Sequence, residues 1–154
     1  MINEITEFLK KKQTYLNNRF FPHIVIDNFL DKEIAEKVNN EIDNIAEDSE
    51  PYYNFNVKKF AINDSNKFEA TTSNLINFLN SDKFIKQLES LTGLKGLVAD
   101  PTLEGGGIHY VKNGGYLRVH SDFQSHIIKS NWSRTINLLI YFNNFTHLYI
   151  KSKY

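Results

Sequence analysis

Gly107-Ile-His-Tyr-Val-Lys-Asn-Gly-Gly-Tyr-Leu-Arg-Val-His-Ser-Asp-Phe123 is the stretch that decides how this chain is read. Glycines at 105–107 and 114–115 punctuate it, and the β-branched and aromatic residues between them have the composition of short strands. Side chains along a strand alternate faces, so His120 and Asp122 point the same way. An imidazole and a carboxylate side by side fill two adjacent positions on one metal ion. That is two thirds of a facial 2-His-1-carboxylate set, which leaves three positions open. Tyr110 stands ten residues before His120, across Gly114-Gly115. A hairpin there makes the two residues neighbours on antiparallel strands.

The His-x-Asp pair alone is a weak signal. Five histidines and eight aspartates in 154 residues produce one by chance in roughly a quarter of such chains. The plain reading is a polar strand end, so the surroundings carry the weight. Downstream, Arg134 to Asn143 is apolar on both faces, as the centre of a buried sheet is. Upstream the pattern is helical. Ile5, Phe8, Leu9 and Leu16 share one face, which predicts an amphipathic helix over 2–17. Residues 22–27 read as a strand. A helix capped by Asp31 follows to about residue 47, with Ile34, Val38, Ile42 and Ile45 as its apolar stripe. Residues 48–70 read as loop with one or two short strands. A helix starts after Ser73, and a second, capped by Ser81, buries Phe84, Ile85, Leu88 and Leu91 and stops at Gly93. Strands are expected at 97–99, 107–111, 116–120 and 135–142. Helices first and antiparallel strands later predict one α+β domain over 1–154, its helices packed on a sheet that belongs to a jelly roll.

Composition narrows the function. Eighteen basic and eighteen acidic side chains cancel, which leaves no field to draw in nucleic acid or an anionic membrane. With no cysteine, disulfides, thiolate metal sites and cysteine nucleophiles are excluded, and a transition metal must be held by His, Asp or Glu. The first residues lack the basic start and apolar run of a secretory signal, and no stretch approaches the roughly 20 apolar residues of a membrane span. The expectation is a cytoplasmic protein.

Here the chain resembles a family. Tyr110, Gly114-Gly115 and His120-x-Asp122, followed by Arg134-x-x-Asn137-x-Leu139-x-Tyr141-Phe-Asn143, look like the core of prolyl 4-hydroxylase-type iron(II)/2-oxoglutarate-dependent oxygenases. Phe21-Pro-His-Ile-Val-Ile-Asp-Asn-Phe-Leu30 and the helix after it are similar to that family's opening strand and helix. The resemblance spans about residues 20–143. It implies helices on a double-stranded β-helix (jelly roll), Fe(II) as cofactor, 2-oxoglutarate as co-substrate, ascorbate as reductant, and hydroxylation of a peptidyl residue or small molecule. It also implies roles: His120 and Asp122 as iron ligands, Tyr110 as a hydrogen-bond donor to the co-substrate, and Asn137 on the strand lining the pocket, in reach of 2-oxoglutarate. Leu139 and Tyr141 share the parity of Asn137, while Arg134 reads as structural.

The chain also departs from the pattern. The family has a second iron-binding His several strands after the pair, and about ten residues later a Lys or Arg for the distal carboxylate. Neither is found after Asn143, and His147, the only later histidine, lies too close in sequence. His126 is expected in an exposed loop. His23 and His109 read as sheet residues, with His109 facing away from Tyr110 and the pocket. The sequence therefore reads as a jelly roll truncated before its last strands. That leaves a non-catalytic remnant or binding module of the same fold as the alternative to an enzyme. A sugar- or peptide-binding jelly roll that never held iron would make His120 and Asp122 incidental.

Overall fold

The computed structural model describes residues 10–47, 49–129, 131–142 and 147–152, with residues 47 and 147–152 as backbone alone. Of the helix expected over 2–17, the described part is α1 (Lys12–Leu16), which buries Tyr15; residues 1–9 lie outside the described residues. Strand β1 (His23–Asp27) turns Ile24 inward and Val25 outward. Helix α2 (Lys32–Glu47) buries Val38, Ile42, Ile45 and Ala46, the single stripe that its spacing predicts.

The stretch 48–70 contains a hairpin of β2 (Tyr52–Asn54) and β3 (Val57–Ile62). Asn54 makes its turn by accepting the N–H groups of Asn56 at 2.8 Å and Val57 at 3.1 Å on its side-chain oxygen. Helix α3 (Ala70–Leu79) starts earlier than the expected start after Ser73. Its cap is not local, because Glu69 at its N-terminus makes no side-chain cap bond. Glu41 of α2 instead accepts the N–H groups of Thr71 (3.1 Å) and Thr72 (2.7 Å) and the Thr72 hydroxyl (2.6 Å). A carboxylate from a neighbouring helix thus satisfies first-turn donors and sits at the positive end of the α3 dipole. Helix α4 (Asp82–Thr92) follows the sequence reading: Ser81 accepts the Phe84 N–H, Phe84, Leu88 and Leu91 are buried, and the helix ends at Gly93.

The second half differs more from expectation. Residues 97–99 form no strand. Strand β4 (Ile108–Tyr110) pairs with β3, and so does β5 (Tyr116–Leu117). Both run antiparallel to β3, so they run in the same direction as each other. Gly114-Gly115 is therefore not a hairpin turn, and Tyr110 and His120 are not cross-strand neighbours. Tyr110 lies opposite Phe60 and Tyr116 opposite Lys58, so six residues of one strand are spread over two of the other. The excess bulges out in a turn closed by the Gly115 N–H on the Lys112 carbonyl at 2.8 Å. Gly115 marks where the chain re-enters the ladder, since a Cβ there would stand 2.8 Å from the Lys58 carbonyl oxygen.

Strand β6 (Ile136–Tyr141) pairs with β7 (His147–Ser152), which pairs in turn with β1, in a separate antiparallel sheet. The hairpin expected between the strands at 107–111 and 116–120 is thus not formed, and the strand expected at 135–142 lies in the other sheet. The fold is mixed α+β: four described helices and small antiparallel sheets that do not close into a barrel. The helical stripes, Ile24, Ile62 and Ile108 share one core, and Ile136, Leu138 and Ile140 of β6 pack against it. None of the described helices is long and apolar enough to cross a membrane.

Losing the cap from α2 should cost α3 its start. Glu41→Ala is expected to lower the unfolding free energy by about 1–2 kcal/mol, read as a lower urea midpoint with an unchanged slope. An unaltered midpoint would show that α3 starts without this carboxylate.

Candidate metal-binding pair and the loops that hold it

Strand β5 ends at Leu117, so His120 and Asp122 lie on irregular chain rather than on the expected strand. Their side chains nevertheless converge, with His120 Nε2 at 3.5 Å from Asp122 Oδ1. The surroundings fix what those atoms present. His120 Nδ1 is 2.8 Å from the Arg118 carbonyl oxygen, which can only accept, so Nδ1 carries the proton. In the neutral ring, Nε2 then offers a lone pair toward a carboxylate oxygen that also offers lone pairs. Both atoms are part-exposed, so water can solvate them, and a metal ion placed between them would meet two donors. Two donors each ~2.1 Å from one ion at adjacent positions stand roughly 3 Å apart, close to the gap seen.

Asp122 is held from its other side, where the Asn137 amide nitrogen donates to Oδ2 at 3.0 Å. That bond aims the carboxylate. Arg134 Nη1 approaches Oδ1 to 4.0 Å. The side chains of His120 and Asp122 keep 45% and 30% of their surface exposed, enough for a ligand to reach them.

Tyr110 does not join this group. It shares a face of the β3–β4 ladder with Phe60 (ring centroids 6.2 Å apart) and packs against the core. Alternation then puts His109 on the opposite face, where its Nδ1 lies 3.2 Å from Lys59 Nζ. Desolvation, and then the charge of Lys59, lower the His109 pKa, while the charge of Asp122 acts weakly in the other sense. Lys59 is likewise lowered by partial burial and raised by Asp122. His109, read as facing away from the pocket, and Lys59, not singled out in the sequence, are thus the groups on β3 and β4 that feel the Asp122 charge. Only the pairing of β4 with β3 reveals this.

No protein-family model matches this chain, and neither a curated protein nor a solved structure does.

Among the described residues, no third His, Asp or Glu completes a metal set with the pair. The side chain of His147 and the whole of Asn143 lie outside the described residues. His126 is engaged elsewhere and is not exposed as expected, its side chain being 7% accessible. Its Nδ1 accepts the N–H groups of Ile128 (3.1 Å) and Lys129 (3.0 Å), so Nε2 carries the proton and points to Asp100 Oδ2 at 3.4 Å. Asp100 also accepts the Thr102 N–H (3.0 Å), the Thr102 hydroxyl (2.7 Å) and the Glu104 N–H (2.8 Å). This knot ties the loop after α4 to the loop before β6. Arg134 ties them again, donating from Nη2 to the Glu104 carbonyl at 2.9 Å, while its own N–H bonds the Gln124 carbonyl. A side chain at Gly105 would occupy the guanidinium's place, its Cβ only 2.4 Å from Nη2.

Burial alone would raise the Asp100 carboxyl, but the Thr102 hydroxyl, the two backbone N–H groups and His126 outweigh it and hold the pKa below the usual aspartate value. A carboxylate lowered in the folded state contributes stability that is present above its unfolded pKa and lost as pH falls through its folded one. Acidification below roughly pH 5 should therefore progressively weaken the clasp between the two loops. Asp100→Asn should lower stability at neutral pH by about 1–3 kcal/mol and flatten this part of the profile. Parallel stability–pH curves for the two proteins would rule out Asp100 as the group responsible.

Proposed function

We propose that this chain is an iron(II)/2-oxoglutarate-dependent oxygenase domain of the prolyl 4-hydroxylase type, hydroxylating a peptidyl residue or small molecule. On this reading His120 and Asp122 are two of its iron ligands, and the two open sheets are parts of a double-stranded β-helix. The observation that carries it is the pair itself: a histidine fixed by a backbone carbonyl in the tautomer that presents Nε2, facing a carboxylate aimed by Asn137. Metal-binding histidines characteristically donate their other ring N–H in this way, and metal-binding carboxylates are themselves hydrogen-bonded.

The donor chemistry suits a first-row metal with N and O ligands at two adjacent positions. When bound, iron(II) would supply dioxygen activation coupled to oxidation of a 2-oxo acid. The chain's own work is positional. Arg118 holds the imidazole, Asn137 holds the carboxylate, and Arg134 places a cation beside it. The resemblance would also give Tyr110 a bond to the co-substrate through its hydroxyl, while its ring packs on Phe60. The second reading, a binding module without catalysis, is favoured by one observation: the absence of a third ligand among the described residues.

Metal titration followed by turnover separates the two. Co(II) or Fe(II) should bind weakly, since two protein ligands chelate less than three. His120→Ala and Asp122→Ala should each weaken binding by at least about tenfold, and Asn137→Ala by roughly tenfold through lost aim. Succinate release with Fe(II), 2-oxoglutarate, ascorbate and O₂ should be slight, dependent on Asp122, and raised by added imidazole filling the third position. Metal binding without any Asp122-dependent succinate, with or without imidazole, would favour the binding module. Metal affinity indifferent to both substitutions would end the metal reading.

A further inference from the structure

A cavity of about 570 Å³ opens on the side of β6 opposite Asn137, within the size range of small-molecule sites. Its floor is apolar: Leu88 of α4, Leu97 of the following loop, and Ile136 and Leu138 of β6. Its polar side draws on the loop before β6, with Trp132 and Arg134, and on Asp100 of the loop after α4. Two of the polar groups on the lining are already engaged. Asp100 accepts four bonds, and both nitrogens of His126 are engaged.

Arg134 is different. Its side chain is 23% accessible and donates one hydrogen bond among the described residues, to the Glu104 carbonyl. The nearest carboxylate among the described residues, Asp122, is 4.0 Å away, beyond hydrogen-bond length. The other charged groups on the lining are Lys95, Glu104 and the saturated Asp100, and Lys95 is exposed. A half-buried guanidinium with spare donors, held in place over Gly105, lines a chamber with an apolar floor.

We propose that this cavity binds a small amphipathic carboxylate, its charged end on Arg134 and its apolar body against Leu88, Leu97, Ile136 and Leu138. The proposal does not rest on the iron reading, and neither His120 nor Asp122 lines this chamber. Arginine suits the role because its planar fork meets a carboxylate with two parallel, charge-assisted bonds. A ligand there would also lie against Trp132, whose ring is flanked by Lys129 Nζ at 3.8 Å and His126 at 5.9 Å.

That contact gives the experiment its readout, because Trp132 is the only tryptophan in the chain. The protein, freed of metal with a chelator, is titrated with octanoate and with octanol while Trp132 emission is followed. Octanoate should produce a saturable change, and octanol should bind at least about tenfold more weakly. Arg134→Met should remove the preference for octanoate, and Leu97→Phe, which fills the floor, should weaken both ligands. Circular dichroism establishes that each variant is folded. If Arg134→Met fails to fold, the octanoate–octanol comparison in the unaltered protein decides. No saturable change, equal binding of the two probes by the unaltered protein, or a folded Arg134→Met protein that keeps the preference would each overturn the proposal.

Discussion

The long irregular stretches on either side of β4 and β5 must satisfy their backbone polar groups without a sheet ladder, and the clasp between them is what the candidate site depends on. Asp100, His126 and Arg134 provide it. Asp100 gathers donors from its own loop and from His126, and Arg134 reaches back from the start of β6 to the Glu104 carbonyl. Each bond replaces one that water would otherwise make, so the net gain is modest for each and depends on all being made together. The consequence is positional: the chain carrying His120 and Asp122 is strung between β5, fixed on β3, and the clasped loop that feeds β6.

The two faces of β6 then divide the labour. Ile136, Leu138 and Ile140 turn toward the core and the cavity, while Asn137 turns outward and takes hold of Asp122. Arg134, just before the strand, serves both sides. A substitution there would act on the clasp, the carboxylate and the chamber together, so its effects would not add to those of its neighbours.

The arrangement of His120 and Asp122 rests on a tautomer argument rather than on proximity. A carbonyl at Nδ1 leaves Nε2 with a lone pair directed toward a carboxylate oxygen, two donors that one metal ion could share. Whether a metal ion takes that place is what the titration reads, so it comes before any assay of turnover.

The local elements were legible in the sequence because their causes are local. The spacing of Val38, Ile42 and Ile45 yields one buried stripe on α2, Ser81 caps α4 from one residue away, and His120-x-Asp122 brings its own side chains together whether or not the chain is a strand. The mixed α+β character follows from the same short-range patterns. What the sequence could not show was decided by partners far away along the chain. Glu41 caps a helix some thirty residues on, so α3 starts earlier than its own residues suggest. Gly114-Gly115 has the composition of a hairpin turn, yet close approach to Lys58 makes it a bulge, which parts Tyr110 from His120. His126 looks like a polar loop residue until Asp100 buries it, and Asn137 acquires its role only because Asp122 comes to lie on its side of β6. Periodicity and short spacing record which face a residue presents. Which group meets that face is set by strand pairing and loop closure, and those exist only in the folded chain.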